Sequence, residues 1–277
     1  MFLVNGFDYV YTARMSDWIA IVILGIIEGI TEFLPISSTA HLLIFENWLP
    51  RQTDLFNIVI QSGAVLAVLP LFPDRLRQFV FQWREKSTRD YALKIVLAVF
   101  ITGVGGLLLD RAGFKLPERL WPVAWAMLIG GIAFLMIERW LKGRNPQGPV
   151  TWTVAGVVGV GQLIAAVFPG TSRSGATILL MLMLGLSRPS ATEFSFLVGI
   201  PTMLAAGGLK IFQALRHPTT GGSAEQWDMV LLGFVVSAVV SFVAVKWLLG
   251  YIQTHTFVIF GWYRIVLAAV LFLLLII

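Results

Sequence analysis

The run E-G-I-T-E-F-L-P-I-S-S-T-A-H at 28–41 gathers two carboxylates, four hydroxyls and one imidazole in a single short stretch. Glu28 and Glu32 stand four residues apart, so on a helix they share one face, one turn apart. Past Pro35, Ser37 or Ser38 can cap the next helix, whose first backbone N–H groups then point outward as donors. His41 follows Ser38 by three residues, on the same side of that helix and within hydrogen-bond reach. A hydroxyl beside an imidazole is an arrangement that activates a weak nucleophile. A second run, P-G-T-S-R-S-G-A-T at 169–177, has a complementary chemistry. Gly170 and Gly175 let the backbone approach a ligand closely, while Ser172, Ser174 and Thr177 offer donors. Arg173 adds a permanent charge on a planar fork that suits phosphate oxygens. With Ser37 and Thr39 from the first run, these groups form a set that favours an anion with several oxygens, most simply a phosphate or diphosphate.

Charge sharpens this expectation. Two ionised glutamates against one arginine leave about −1, and a diphosphate adds roughly two or three more negative charges in a low-dielectric pocket. Either a glutamate keeps its proton, or a divalent cation sits between the carboxylates of Glu28 and Glu32 and the phosphates. Hard oxygen ligands select Mg²⁺ or Ca²⁺.

Both runs interrupt segments that are otherwise fit for lipid. The chain has 277 residues, 57% hydrophobic and 13% charged, with a mean hydropathy of +0.84; soluble domains carry about 25% charged residues. An ionisable side chain at bilayer depth costs about 2.5–3.5 kcal/mol on insertion scales, so carboxylates kept there point to function. Apolar segments fall at 18–34, 38–49, 56–72, 91–109, 121–141, 152–168, 174–186, 191–211, 228–249 and 257–277. Crossing the hydrocarbon core takes about 20 residues. The pair at 18–34 and 38–49, broken at Pro35, and the pair at 152–168 and 174–186, broken at Pro169-Gly170, are too short. They read as re-entrant helical hairpins, which leaves six full crossings in an all-α polytopic membrane protein. A slide of 134 places sets Gly25-Ile26-Ile27-Glu28 over Gly159-Val160-Gly161-Gln162, and Ser38 over Ser172. Halves at about 15–141 and 150–277 then each hold one hairpin and three crossings. An odd number of crossings inverts the second copy, and short, Pro/Gly-broken segments in corresponding places mark a site near the bilayer midplane.

Residues 1–14 form an N-terminal extension with little pattern, and Met15 is a second plausible start, leaving 15–277 as one membrane domain. No cysteine is present, which excludes disulfides and thiolate chemistry. The net charge of +5 sits in loops and reports orientation rather than nucleic-acid binding. Arg75, Arg77, Arg84, Lys86 and Arg89 at 73–90, with Lys142 and Arg144 at 142–150, place both loops in the cytoplasm. The first hairpin, the 212–226 loop and the 110–120 loop with Lys115, Glu118 and Arg119 then face outward. Gln162, over Glu28 in the repeat, and Gln61 and Glu193, polar in apolar helices, are candidates to support the site residues from behind. Tyr263-Arg264 is ambiguous between packing and function; Lys246 and Trp247 suit interfacial anchoring. His217 and His255 are loop histidines without an evident role. No nucleotide loop, dinucleotide fingerprint or zinc spacing is present.

At these residues the chain resembles the undecaprenyl-diphosphate phosphatase family, also known as bacitracin-resistance proteins. The carriers are the runs at 28–41 and 169–177, F-N-I-V-I-Q-S-G ending at Gly63, S-R-P-S-A-T-E-F-S-F-L at 187–197, and Tyr263-Arg264; the match spans the chain from Met15. The resemblance implies a multi-pass enzyme of the bacterial inner membrane with its site open to the periplasm. It would hydrolyse undecaprenyl diphosphate, recycle the carrier for peptidoglycan and confer bacitracin resistance. Membrane lipids are further partners, nucleic acid is not, and a homodimer is compatible. Ser38 matches the family's presumed nucleophile, with His41, Glu28 and Glu32 in acid/base and cation roles and Arg173, Ser172, Ser174 and Thr177 on the phosphate. A transporter or lipid flippase is the rival expectation, because broken helices and buried carboxylates serve transport equally well. The feature that favours hydrolysis is an activated hydroxyl facing an arginine-bearing anion turn.

Overall fold

A computed structural model describes residues 17–45, 48–50, 52–114, 120–216 and 226–276. The extension at 1–14, Lys115, Glu118, Arg119 and His217 lie outside the described residues. Described residues form helices α1 (Asp17–Thr31), α2 (Ser38–Phe45), α3 (Asp54–Val68), α4 (Pro73–Phe81), α5 (Lys86–Arg111) and α6 (Leu120–Trp140) in the first half. The second half holds α7 (Trp152–Val167), α8 (Arg173–Met183), α9 (Arg188–Arg216), α10 (Trp227–Tyr251) and α11 (Val258–Ile276). No strand occurs among the described residues. Five helices, α5, α6, α9, α10 and α11, are long and apolar enough to cross a membrane. The sixth expected crossing is α3, extended by a 3₁₀ turn at Leu69–Leu71 and followed by α4 at a bend of 81°. Pro73 at the first position of α4 supplies that break, since proline has no N–H to continue a helix.

Exposed and inward surfaces separate along α10. On α10, Val235, Val239 and Val243 are exposed, whereas Gly233, Ser237 and Ser241 are buried. Both sets recur every four residues, which is one helix face each.

The two short pairs are hairpins as expected, and the reason is local. Pro35 disfavours helical backbone at the residue before it, and Ser37 then takes a left-handed φ of 73°. From that position its hydroxyl accepts from the Ala40 N–H at 3.3 Å and starts α2. The second turn repeats the device: Ser172 has φ 68°, and its hydroxyl accepts from the Gly175 N–H at 3.2 Å to start α8. A left-handed serine is strained, so both turns rely on surrounding contacts. The matching caps are thus Ser37 and Ser172, 135 residues apart rather than 134, and Ser38 corresponds to Arg173 instead of Ser172.

Packing exchanges the halves. The hairpin helix α1 lies along α10, and α7 lies along α5; α6 pairs with α11, and α3 with α9. Each hairpin is thereby held by the other half's crossing, which brings both polar turns to the interior.

Candidate active site

Ser38, the first residue of α2, donates its hydroxyl to Glu32 Oε2 at 2.6 Å. The other oxygen, Glu32 Oε1, accepts from Arg173 Nη2 at 3.1 Å, across 141 residues of sequence. One carboxylate therefore bridges the candidate nucleophile and the candidate anion holder, and the two hairpins meet there. Glu32 and Arg173 side chains are 6% and 17% exposed, so the centre is screened from bulk water yet open on the arginine side. Arg173 has room because α9 carries Gly199 beside it. A Cβ at Gly199 would collide with Arg173 Nη1. Ser174 joins the two turns directly, donating to the Leu34 carbonyl at 3.2 Å.

His41 does not reach Ser38. Its Nδ1 lies 2.7 Å from the Ser37 carbonyl oxygen and its Nε2 lies 2.7 Å from the Tyr263 hydroxyl. A carbonyl only accepts, so Nδ1 carries the proton and Nε2 accepts from Tyr263. Both ring nitrogens are occupied in holding the turn, and the group that accepts the Ser38 hydroxyl is Glu32. The i, i+3 spacing put His41 near Ser38, but Tyr263 on α11 turns the ring away.

The neighbour of Tyr263 is the second feature that sequence spacing left ambiguous. Arg264 is fully buried and donates to the carbonyls of Pro35 at 3.2 Å, Gly170 at 3.0 Å and Ala126 at 3.0 Å. One guanidinium thus ties the tips of both hairpins to α6. Gly130 on α6 leaves the space, since a Cβ there would strike Arg264 Nη2. Arg264→Met should strand two buried carbonyls, at about 1–3 kcal/mol each, and a part-buried third. The expected result is a melting temperature lower by several degrees, read by thermal unfolding.

Other expected site residues divide between the centre and its scaffold. Thr39 is exposed beside Ser38, Ser172 caps α8, and the Gly170 carbonyl is taken by Arg264. Thr177 turns inward, meeting the Ser195 hydroxyl of α9 at 2.6 Å and the Arg173 carbonyl at 2.9 Å, so it locks α8 rather than facing an anion. Gln162 donates to Thr102 on α5 at 2.9 Å and bonds no residue of the centre. Gln61 is half-buried without a hydrogen bond to the centre. Glu193 pairs with Arg75 of α4 and with Tyr91, at the end of the bundle near the 73–90 loop. Beside it, Arg188 holds the buried Glu138, which also accepts from the Phe257 N–H at 2.9 Å. Arg188 belongs to the run at 187–197, whereas Glu138 carries no motif of its own; only its approach to α9 marks it.

Glu28 is fully enclosed, and neither carboxylate oxygen has a hydrogen-bond partner among the described residues. Glu32 keeps spare lone pairs beyond its bonds to Ser38 and Arg173. Oxygen-only donors of this kind fit a hard cation, with Glu32 the carboxylate nearer the open side.

The chain as a whole is similar to known proteins. The family model for bacitracin resistance protein BacA matches residues 21–270. A Rhizobium etli protein named undecaprenyl-diphosphatase is 51% identical over 256 residues, covering 92% of this chain and 96% of the relative. Proteins of the same name from Xanthomonas euvesicatoria and Xanthomonas oryzae are 49% and 51% identical over 260 and 261 residues, each covering 94% of this chain and 97% of the relative. The residues that build the Ser38–Glu32–Arg173 centre all fall inside the matched span. With that extent of identity, the chain belongs to the bacitracin resistance protein BacA family.

Proposed function

We infer that the chain is an undecaprenyl-diphosphate phosphatase, which splits the terminal phosphoanhydride of undecaprenyl diphosphate into undecaprenyl phosphate and orthophosphate. The observation that carries this reading is the Ser38 hydroxyl held 2.6 Å from a carboxylate that is itself paired with Arg173. Transport requires a site that binds; it does not require a hydroxyl with a base on it. Ser38 Oγ attacks the terminal phosphorus, its proton passes to Glu32 Oε2, and the bond to the bridging oxygen breaks, releasing undecaprenyl phosphate. Arg173 holds the charge that spreads over the phosphoryl oxygens, where fixed charge acts most strongly. Water then attacks phosphorus, and Ser38 leaves with the proton returned from Glu32. His41, fixed by Ser37 and Tyr263, keeps the turn that presents Ser38.

A divalent cation, Mg²⁺ or Ca²⁺, is proposed to accompany the diphosphate, with Glu32 facing it and Glu28 behind. When bound it would offset phosphate charge that Arg173 alone does not balance. Exhaustive chelation is therefore expected to lower turnover at least about tenfold, a contribution of about 1.4 kcal/mol, and Mg²⁺ or Ca²⁺ to restore it. Unchanged turnover after chelation removes the cation from the reading.

We place the protein in the bacterial inner membrane with the 73–90 stretch, which holds α4 and the start of α5, and the 142–150 loop in the cytoplasm, by their Lys and Arg content. The site then opens to the periplasm through an inverted pair of hairpins, a reading supported by the exchanged packing of α1 on α10 and α7 on α5. There it recycles the lipid carrier of peptidoglycan synthesis and removes the diphosphate on which bacitracin acts. The test is phosphate release from purified protein given undecaprenyl diphosphate in detergent. Stoichiometric orthophosphate is expected; intact diphosphate together with lipid translocation in vesicles would instead establish the transporter reading.

A further inference from the structure

The bend after α3 sets out a surface that the reaction does not use. α3 packs on α9 and α10, and α4 leaves it at 81°. A helix that turns off a crossing at that angle lies close to the plane of the bilayer. The next crossing, α5, starts at Lys86, so α4 and the turn behind it stay at the membrane surface. One side of α4 is fastened to the bundle. Arg75 pairs with Glu193 of α9 and lies 4.2 Å over the Tyr91 ring, and Phe79 stacks on the same ring. Past that contact the chain turns its apolar side chains outward: Val80, Phe81 and Trp83 are 68%, 81% and 51% exposed.

Flanking them in the chain are four exposed cations, Arg77, Arg84, Lys86 and Arg89, against two exposed acids, Asp74 and Glu85. None of these four cations makes an ion pair among the described residues, whereas Arg75, Lys94, Arg173 and Arg188 each do. Apolar side chains at the acyl boundary beside cations at headgroup level make an interfacial amphipathic element. Its complement follows from both halves of that surface. Free phosphate would meet the cations and leave Val80, Phe81 and Trp83 uncovered. A zwitterionic lipid would cover them but bring its own cation against the arginines. An anionic phospholipid satisfies both, as juxtamembrane basic clusters do with acidic headgroups. We propose that α4 and the turn to α5 form a docking surface for anionic phospholipid, with acyl chains on Val80, Phe81 and Trp83 and headgroup phosphates on the four cations. The leaflet follows from the cytoplasmic placement of this stretch; the chemistry does not depend on it. Because Arg75 ties α4 to Glu193 on α9, lipid held here steadies the bundle as well as the helix it touches.

The test reads stability, so it is independent of whether the chain is a phosphatase. Purified protein in a neutral detergent is melted with phosphatidylglycerol, with phosphatidylcholine of the same acyl chains, and with inorganic phosphate. Phosphatidylglycerol is expected to raise the melting temperature by about 3–5 °C at tenfold excess over its dissociation constant, and the other two by far less. In Arg77→Gln/Arg84→Gln/Lys86→Gln/Arg89→Gln that increment should fall to the phosphatidylcholine level. The four side chains are exposed, so melting without lipid should stay the same. Repeating the titration of the unaltered protein in about 1 M NaCl, where charges are screened within roughly 3 Å, should shrink the increment likewise, and decides the matter if the variant does not fold. Equal increments from the two lipids overturn the proposal, as does an equal increment from inorganic phosphate. So does a phosphatidylglycerol increment that survives both the substitutions and the salt.

Discussion

Ser38→Ala is expected to lower kcat by roughly 10³-fold or more while the protein melts normally, the scale seen when a nucleophile is removed from a unit that acts together. Ser38 donates 2.6 Å to Glu32 Oε2 and is the only hydroxyl of the two turns with a carboxylate acceptor among the described residues. Alanine deletes the attacking atom and leaves Glu32 still paired with Arg173, so the scaffold should persist. Glu32→Gln should fall nearly as far, because an amide cannot take the serine proton. His41→Ala should fall less, since both imidazole nitrogens are engaged by Ser37 and Tyr263. Phosphate release with undecaprenyl diphosphate, beside thermal unfolding of each variant, measures all three. Near-normal turnover of Ser38→Ala would mean that water attacks the phosphorus directly, and a larger loss for His41→Ala than for Glu32→Gln would return the base to the imidazole.

Arg173→Lys should cost about 10²–10³ in kcat, the range for removing one preorganised donor from a developing anion. The guanidinium binds Glu32 through Nη2 and approaches α9 at Gly199 through Nη1. A planar fork can keep the carboxylate and still offer N–H groups to a phosphoryl oxygen. An ammonium is a compact point charge without that geometry. Lysine retains the charge, so the loss should appear in kcat more than in KM. A change confined to KM would reduce Arg173 to ground-state binding of the substrate. Gly199→Val gives a second view of the same contact: its side chain would displace the guanidinium while leaving the arginine in place.

The chemistry was written locally and its partners were not. Pro35 and Pro169-Gly170 break two apolar segments at matching places, so the hairpins and their capping serines could be read from the chain. Carboxylates, hydroxyls and an arginine in lipid-soluble segments point to a phosphate ligand by residue type alone. Spacing along one helix says which side chains share a face, and that rule placed Glu28 with Glu32 correctly. It also put His41 beside Ser38, where it fails, because Tyr263 lies 222 residues away and captures the ring. Thr177 and Glu193 have the chemistry of site residues but are taken by Ser195 and by Arg75. Composition and helical period fix the elements, the polar turns and the class of ligand, since these depend on bonds and neighbours within a few residues. Which arginine meets Glu32, and which one ties the hairpin tips together, was settled only when the second turn and α11 came against the first turn. Those contacts join residues far apart in sequence, and no local period encodes them.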